Sequence, residues 1–336
     1  MDNNLVFKEI YNKKEWENHL LNLHTSDVYS SWIWGEYKQR VGWDVYRLSV
    51  RDKEQNSLIA CFQLQKKIKF KFFTILLIQG GIHLKTFSLD NYLQVLELIM
   101  KNYVTRKNNV IIFINHQSVS TQDTDLGLLI KKFSPILNSK SYTYVLDSHN
   151  NSLKGDALSK NWKHNLKRAL NNPKLTYHSV VKLDERKRAF RDLEKFYTNL
   201  RIRKKFKTAI DFNLSKDLII ENNDFRIIEA RLENEVIAIR IGFFSKDYVL
   251  DFLAASDELA KKTYANYLLL YKLIELTHSE GKSYFDCGGI NPSENIGVFN
   301  FKKGLGGRLN INGQIWLNAS SPIIKKTVRL LFSFTN

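Results

Sequence analysis

Three apolar runs in the first half of the chain alternate with polar positions as β-strands do. "WDVYRLSVRD" and "SLIACFQLQKKI" are joined by a polar turn at Lys53 to Asn56, and "FKFFTILLIQGG" ends at Gly80 and Gly81. Short runs of this kind, bounded by polar or glycine residues, predict strands with at least one buried face. These three strands predict that the first half of the chain contains a β-sheet.

The next segment changes to helical spacing. In "SLDNYLQVLELIMKNYV", Ser88 stands where a helix cap is expected. The apolar residues that share one face of this predicted helix are Tyr92, Val95, Leu96, Ile99 and Tyr103. Two β-rich runs, "NVIIFINH" and "SYTYVLD", follow it. The first half is therefore mixed in helix and strand.

A polar stretch, "SHNNSLKGDALSKNW", interrupts the pattern and predicts a domain boundary near Asn150. A similar order of elements then follows. "RAFRDLEKFYTNLRIRKKF" predicts a helix, and "DFRIIEARLENEVIAIRIGFFSKDYVLDFLAAS" predicts three antiparallel strands with turns at residues 233–235 and 245–247. "ELAKKTYANYLLLYKLIELTHSEG" predicts one long helix closed by Gly281, and "SYFDCGG" predicts a further strand.

Length and composition favour a folded chain of two domains. The 336 residues are 43% hydrophobic, which is enough for a large core. Cys61 and Cys287 are far apart in sequence and predict neither a disulfide framework nor a paired-cysteine metal site. The amino terminus has no apolar stretch of signal-peptide length, and no apolar run reaches the roughly 20 residues that a spanning helix needs. These features predict a cytoplasmic protein.

Charge is the most pronounced global feature, because 51 Lys and Arg residues stand against 34 Asp and Glu residues, for a net charge of +17. Such a charge attracts anionic partners over a Debye length of roughly 8 Å. Nucleic acid, anionic lipid headgroups and pyrophosphate-linked substrates all fit. A basic surface that only keeps the protein in solution fits as well, so charge alone selects no partner.

The order of elements in the second half resembles the core of the GNAT acyltransferase fold, and the first half resembles a looser copy of it. Two such domains in tandem are similar to the FemABX family of peptidoglycan aminoacyltransferases and its acetyltransferase-like relatives. Three motifs carry the resemblance: "SWIWGEYKQRVGW", "LSKNWKHNLKRAL" and "FDCGGINPSENIGVFNFKKGLGG". The implied fold class is α+β, with domain 1 at residues 1–149 plus 320–336 and domain 2 at residues 150–319.

The glycine-rich motif lacks the spacing of a phosphate-binding loop, since neither GxxxxGKS/T nor GxGxxG occurs in it. We expect Gly288 and Gly289 to let the backbone leave the strand "YFD" in a conformation closed to other residues. Gly304, Gly306 and Gly307 are expected to bend the chain into "RLNINGQIWLN".

The resemblance implies that Phe301 and Lys302, between those glycines, lie at the acyl-transfer centre. When an amine attacks an ester or thioester carbonyl, a fixed cation near the carbonyl oxygen lowers the barrier by ~3 to 4 kcal/mol. Lys302 is the candidate cation, and Phe301 would contribute its backbone or exclude water. Asp286 would position a donor or accept a proton, although a carboxylate that caps a turn is the more ordinary interpretation.

The donor is predicted to be aminoacyl-tRNA, which that family uses. GNAT enzymes that bind acetyl-CoA carry a glycine-containing loop before the long helix, whereas this chain reads "SDELAKKTYANYLLLY" there, without glycine. Lys261 and Lys262 leave acyl-CoA open as an alternative. Lys160, Lys163 and Lys167 recur at helical spacing, with His164 and Arg168 nearby, and are the candidate tRNA contacts. A solvated basic helix face is the alternative for them.

The acceptor is expected on domain 1. Trp34 and Lys38 are four residues apart, hence on one face of a helix. The resemblance implies that Lys38, and Arg203 in "YTNLRIRKKF", contact the phosphates of a nucleotide- or lipid-linked muropeptide. Arg201 fits the spacing almost as well as Arg203, and Tyr264 completes the substrate-binding candidates. The chain departs from the family at "QGGIH" and "LDFLAAS" and has no helical-hairpin arm, which leaves a polysaccharide or lipid-linked sugar amine open as acceptor.

No metal or cofactor is expected, since the eight histidines form no HxxxH or HExxH pattern. The tail "SSPIIKKTVRLLFSFTN" predicts a basic amphipathic helix that contacts the inner membrane surface or, more ordinarily, docks on its own protein. The resemblance therefore implies an aminoacyltransferase of peptidoglycan cross-bridge synthesis, with a role in the cell wall and in cell shape. The alternatives are an acyl-CoA-dependent N-acyltransferase on an amino sugar, and a non-catalytic module that binds RNA or membrane.

Overall fold

The computed structural model describes residues 4–23, 27–69, 73–104, 109–114, 121–136, 141–147, 157–204, 210–292 and 295–333. The chain divides into two compact units. The second is one continuous segment, Tyr142–Asn310, and the first combines Met1–Ser141 with Ile311–Asn336. The second unit thus begins before the boundary predicted near residue 150 and ends before residue 319. The reason is that the strand in "SYTYVLD" pairs within the second sheet, although the sequence suggested that it belongs with the first half.

The strands, in chain order, are β1 Leu5–Glu9, β2 Asp44–Asp52, β3 Leu58–Lys69, β4 Phe73–Gln79, β5 His83–Leu84, β6 Asn109–Ile114, β7 Ser134–Pro135, β8 Ser141–Asp147, β9 Leu175–Val180, β10 Phe225–Leu232, β11 Glu235–Phe244, β12 Tyr248–Ser256, β13 Tyr284–Asp286, β14 Arg308–Gly313 and β15 Ile315–Ala319. The helices are α1 Lys13–Asn22, α2 Trp32–Arg40, α3 Leu89–Ile99, α4 Thr121–Ile130, α5 Lys160–Leu170, α6 Leu183–Lys204, α7 Phe212–Ile220, α8 Glu258–Lys262, α9 Ala265–Ser279, α10 Ile296–Lys303 and α11 Pro322–Ser333. A short 3₁₀ helix covers Val28–Ser30, and a π-helical turn, Met100–Val104, extends α3. The expected α+β fold class is therefore correct.

The first unit is built on a mixed sheet. Its strand order is β1-β2-β3-β4-β6-β15-β7, with β5 paired to β3. β4 and β6 are parallel, and β15 is antiparallel to both β6 and β7. Apolar side chains of α3 pack on one face of this sheet, where Tyr92, Val95 and Leu96 are fully buried with Phe62 and Phe113. Ser88 caps α3 through its side chain, as the sequence predicted.

The remaining helices of the first unit pack on the same sheet. The Ser31 side chain caps α2, and a Cβ at Gly35 of this helix would lie 2.5 Å from the Arg47 guanidinium of β2. Ile324 and Val328 of α11 pack with Leu317 in a separate apolar cluster. The described part of the amphipathic tail therefore docks on its own protein, and the side chains of residues 329–336 lie outside the described part of the chain.

The second unit has a sheet of order β14-β8-β13-β12-β11-β10-β9. β12 and β13 are parallel, and β12 is antiparallel to β11. Ile228 and Ala230 of β10 pack with α5 and α9 in the main apolar cluster. Glu229 between them points to the opposite face because side chains alternate along a strand, and there it binds Arg188 of α6. Helices therefore cover both faces of the sheet.

The prediction of one long helix between residues 258 and 281 is wrong, because the structure has two helices there. Tyr264, between α8 and α9, has a φ of 61° and a ψ of 23°. A residue in the left-handed region cannot continue a right-handed helix, so the chain breaks at this tyrosine. Gly281, with a φ of +68°, closes α9 as expected.

Candidate active site

The second sheet opens between its two parallel strands. β13 pairs with β12 only over Tyr248 to Leu250, whereas β12 continues to Ser256. The register of β12 against β11 also shifts after Asp251, so that Phe252 forms a bulge. In open α/β sheets, ligands bind at the carboxyl ends of parallel strands where neighbours separate. The end of β13 is therefore the expected place for the reacting groups.

Asp286, the last residue of β13, is completely buried. Its Oδ2 accepts a hydrogen bond of 2.7 Å from the Tyr248 hydroxyl, and its Oδ1 accepts hydrogen bonds from the Thr143 hydroxyl and from the Gly288 amide, the latter at 2.7 Å. Burial raises the pKa of Asp286, while these donors and the nearby charge of Lys302 oppose the increase. Oδ1 thus holds the turn after β13, and Oδ2 is bound by Tyr248 of β12, which favours the turn-capping interpretation over proton transfer.

The turn held by Asp286 requires glycine at one position. Gly288 has a φ of +73°, and a Cβ there would lie 2.7 Å from the backbone oxygen of Asp251. Gly289 does not adopt a positive φ, and a Cβ at that position would meet nothing within 4 Å. The expectation that both glycines are conformationally required is therefore correct for Gly288 and wrong for Gly289.

Lys302 lies on α10 and reaches the same turn. Its Nζ donates to the carbonyl oxygens of Gly289 at 3.0 Å and Gly288 at 3.3 Å. An ammonium group has three N–H donors, so one remains without an acceptor among the described residues. The turn therefore fixes the cation in place and leaves it one donor for a substrate oxygen. This geometry suits the role predicted for Lys302.

Phe301 lies in an aromatic cluster between three helices. Its ring centroid is 4.9 Å from that of Tyr267 on α9 and 5.8 Å from that of Trp162 on α5. The Trp162 indole Nε1 also donates to the Phe301 carbonyl oxygen at 2.9 Å. Because that carbonyl is already bound, the packing favours a role for the Phe301 ring in excluding water from the site.

The basic helix α5 has one buried and one exposed face. Trp162, Leu166 and Ala169 are buried against α9, whereas the residues on the outer face are exposed. The exposed basic residues are Lys160, Lys163, His164, Lys167 and Arg168. The start of α5 is joined to the end of α10 because the Ser159 amide donates to the Gly304 carbonyl at 2.9 Å. The basic face thus belongs to a helix that is anchored next to the helix of Lys302.

Tyr264 stands at the amino terminus of α9 in its left-handed conformation, an arrangement that costs energy for a residue with a side chain. The Arg168 guanidinium carbon lies 4.5 Å from the Tyr264 ring centroid, and Arg168 donates to the Tyr264 hydroxyl at 2.6 Å. The Tyr264 side chain itself makes no cap hydrogen bond to α9. Tyr264 therefore lies just before α9, where GNAT enzymes that bind acetyl-CoA carry a glycine-containing loop. Arg168 of α5 holds the tyrosine in this position.

The arginine candidates lie at the end of α6, where both are exposed. Arg203 forms an ion pair with Glu258, the first residue of α8, and Glu258 also binds Lys261 at 3.1 Å. Arg203 is therefore engaged within the second unit. Within the described part of the chain, Arg201 has no contact that distinguishes it as a ligand group.

Lys38 and Trp34 lie in the first unit, on the same face of α2 as predicted. The Lys38 Nζ is 5.1 Å from the Trp34 ring centroid and 5.5 Å from the Trp43 ring centroid. Burial, with the charge of Lys67 as a second cause, lowers the pKa of Lys38 to about 8. No acceptor from the described part of the chain binds this ammonium. A cation held between two indoles with a second lysine nearby is suited to an anion.

Replacing Lys38 with methionine is expected to raise the KM for a pyrophosphate-linked acceptor at least about tenfold while kcat changes little. Methionine keeps the apolar stem between Trp34 and Trp43 and removes the charge. In the parent protein, Lys38 is protonated below its pKa of about 8, so acceptor binding should weaken as the pH rises through that value. Titrating acceptor binding against pH for both proteins tests this, and a variant that binds as tightly as the parent would remove Lys38 from the acceptor site.

Several residues that contribute to these sites could not be identified from the sequence pattern. Thr143 and Asp286 are 143 positions apart, and Tyr248 joins them only because β8 and β12 flank β13. Trp162 and Tyr267 read as ordinary apolar positions of helices. Lys67 stood in a predicted strand, where its approach to Trp43 depends on the packing of α2. Long-range pairing, rather than local pattern, brings all of them to their places.

Comparison with known proteins supports this description of the fold. Residues 160–303 match the family described as Acetyltransferase (GNAT) domain. FemX has a similar structure, with a TM-score of 0.76, 14% identity and coverage of 96% of this chain and 100% of FemX. L-PGS from Bacillus licheniformis has a TM-score of 0.58, 14% identity and coverage of 95% and 96%. A tandem GNAT protein from the clavulanic acid biosynthesis pathway has a TM-score of 0.54, 12% identity and coverage of 95% and 99%. No curated protein matches the chain by sequence.

The protein therefore has a tandem GNAT fold and is an enzyme of the acyltransferase class. Within that class its fold is FemX-like. Among the described residues, no helix combines the length and apolarity needed to cross a membrane. The same part of the chain contains no cluster of three His, Cys, Asp or Glu side chains arranged to hold a metal ion.

Proposed function

We propose that the protein transfers an amino acid from aminoacyl-tRNA to an amine of a cell-envelope precursor of the peptidoglycan cross-bridge type. The observation that carries the proposal is the connection between α5 and α10. The exposed lysines of α5 offer phosphate contacts, and the hydrogen bond from Ser159 to Gly304 joins that helix to the one bearing Lys302. A bound tRNA backbone would thus lie on an element anchored beside the transfer centre.

The chemistry proposed is direct transfer in a ternary complex. The acceptor nitrogen attacks the ester carbonyl carbon, so a C–N bond forms, the C–O bond to the ribose breaks, and the nitrogen loses a proton as the ribose hydroxyl leaves. Lys302 stabilises the negative charge that develops on the carbonyl oxygen. The Asp286 network keeps the Gly288 turn, and hence the acceptors of Lys302, in position. Phe301 helps to exclude water from this place.

The surroundings of Lys38 support an acceptor site on the first unit. Diphosphate groups link muropeptides to nucleotides or lipids, and a half-buried cation flanked by Trp34, Trp43 and Lys67 suits such a group. A structure that shares the fold, with a TM-score of 0.60 and 11% identity, is described as the C-terminal domain of a putative lysylphosphatidylglycerol synthetase, and that name supports an envelope acceptor. A lipid-linked sugar amine is the alternative acceptor.

An acyl-CoA donor is the second candidate, because the matching family is described as an acetyltransferase domain. Lys261 and Lys262 of α8 lie close before the amino terminus of α9, where they suit a pyrophosphate. To distinguish the two donors, the protein is incubated with lipid-linked precursor and either charged total tRNA or acetyl-CoA. Mass spectrometry then identifies the group that has been transferred. An amino-acid increment from tRNA supports the proposal, and an acetyl increment supports the second candidate. Failure of both donors would indicate a non-catalytic module.

Replacing Lys160, Lys163 and Lys167 together with glutamine is expected to weaken tRNA binding and to reduce its salt dependence by up to ~3 units of slope in a double-logarithmic plot. The reduction is smaller if the contacted RNA is single-stranded. Binding of total tRNA measured across a salt series tests this. A matched variant with Lys182, Lys195 and Lys216 replaced removes the same charge from exposed positions outside α5. Equal losses in both variants would leave α5 as a merely solvated face.

A further inference from the structure

The outer face of α4 in the first unit is apolar, and the described structure leaves it uncovered. Leu126, Leu129 and Ile130 are 46%, 53% and 50% exposed. Their spacing of three and four residues puts them side by side on one face of the helix. Scattered single exposed leucines are ordinary on protein surfaces, whereas three on one helix face form a patch that a partner can cover.

The packing of α4 fixes which side faces out. Thr124 and Leu128 are fully buried, and a Cβ at Gly127 would lie 2.6 Å from the ring of Tyr92 on α3. The helix ends at Ile130, Lys132 after it has a φ of +63°, and Phe133 then meets Phe113 in the core edge-on, with ring centroids 5.2 Å apart. A helix that is pinned along its inner face and at its end cannot turn its three apolar side chains inward.

The carboxyl end of α4 is basic and adjoins the first turn of α11. Lys131 and Lys132 follow the last residue of the helix, and the Lys325 Nζ donates to the Lys132 carbonyl at 2.9 Å. Ile323 in that first turn of α11 is 79% exposed, and Lys326 is exposed as well. Glu97 binds Lys131 at 2.9 Å, and Asp123 and Asp125 lie in the earlier half of α4. The positive charge therefore collects at one end of the apolar face.

We propose that this α4–α11 surface, defined as Leu126, Leu129, Ile130, Lys132, Ile323 and Lys326, docks on an anionic lipid bilayer. A few apolar side chains beside lysines suit the headgroup boundary of a membrane, where the apolar groups enter and the lysines meet phosphate. A stable protein partner usually buries about 800 Å² on each side, which is more than a few side chains can supply. The net charge of +17 favours approach to the same surface. The inference does not depend on the transfer reaction.

Co-sedimentation of the full chain with vesicles tests the surface. The vesicles contain phosphatidylcholine with about one-third phosphatidylserine, a headgroup that gives a negative surface. We expect the parent protein to bind these vesicles and to bind pure phosphatidylcholine much more weakly. Replacing Leu126, Leu129 and Ile130 with serine should lower the vesicle affinity at least about tenfold. Replacing Lys132 and Lys326 with glutamine should reduce the effect of salt on binding.

A control variant carries serine at Val181, Leu183 and Ile202, which are exposed apolar residues of the second unit. It should bind vesicles as the parent does, and the melting temperature of each variant checks that the fold is kept. The proposal is overturned if the parent protein stays in the supernatant, or if the α4 variant binds as well as the parent. Sedimentation velocity adds one more outcome: loss of a dimer in the α4 variant, without a change in vesicle binding, would assign the face to a second copy of the chain.

Discussion

Replacing Lys302 with alanine is expected to lower kcat for acyl transfer about 100-fold or more while acceptor binding stays within about twofold of the parent. The Lys302 ammonium is held on the carbonyls of Gly288 and Gly289, and its third N–H has no acceptor among the described residues. A donor fixed before the reaction stabilises the developing oxyanion without reorganisation, so its loss affects the transition state more than the ground state. Single-turnover kinetics with a charged donor measure the change.

The matched control for this prediction is Lys303, the next residue on α10, which is exposed and whose Nζ lies 5.7 Å from the Phe299 ring centroid. Lys303→Ala removes the same charge from the same helix and should leave kcat almost unchanged. Because Lys302 also contacts the turn, the melting temperature separates a catalytic loss from a loosened fold. If Lys302→Ala turns over at the parent rate, the transfer centre lies elsewhere.

Replacing Arg186 with methionine is expected to lower the free energy of unfolding by about 3 kcal/mol. The side chain of Arg186 is buried on α6 and donates to four backbone carbonyls around the end of α7, at distances of 2.6 to 3.0 Å. Two of these oxygens, those of Ile219 and Ile220, are among the groups that a helix end leaves without intrahelical partners. Methionine preserves the stem but removes the guanidinium donors from these carbonyls, and denaturant unfolding measures the cost.

Lys187 provides the comparison, because it is the neighbour of Arg186 on α6 and is exposed, with a salt bridge of 3.9 Å to Asp184. Lys187→Met should change stability by less than about 0.5 kcal/mol, as exposed ion pairs contribute little. A small effect at both positions would mean that water or relaxation of α7 replaces the arginine, and the four hydrogen bonds would then not account for the ordering of that helix end.

Local patterns in the sequence were sufficient for much of the fold. The β2 and β3 strands, the capped helix α3 and the antiparallel run from β10 to β12 all appeared as predicted, because side-chain periodicity and caps act within a few residues. The end of the long helix at Gly281 was visible for the same reason. These elements, together with the motif order, led to the tandem GNAT interpretation, which the fold confirms.

The errors come from effects that act over long distances. Nothing in "SYTYVLD" indicates that β8 leaves the first half to pair with β13, since its alternation is satisfied in either sheet. The break at Tyr264 depends on Arg168, which stacks on that ring from another helix. The helices α4 and α7 and the strand β9 were missed because their short patterns were weak beside their neighbours. Even so, the proximity of Asp286 to Lys302 follows from a motif in one stretch of chain.

The assignment of consecutive strands to different sheets has a consequence for synthesis. β14 lies at the edge of the second sheet, and β15, which follows it, lies between β6 and β7 in the first. The ribosome makes the chain from the amino terminus, so all of Tyr142–Asn310 exists before residues 315–319 emerge. The first unit is thus the first to be started and the last to be finished. Until β15 has been made, one edge of β6 has no partner strand. An unpaired edge of this kind can pair with strands of other chains, so it is a site of possible aggregation during synthesis.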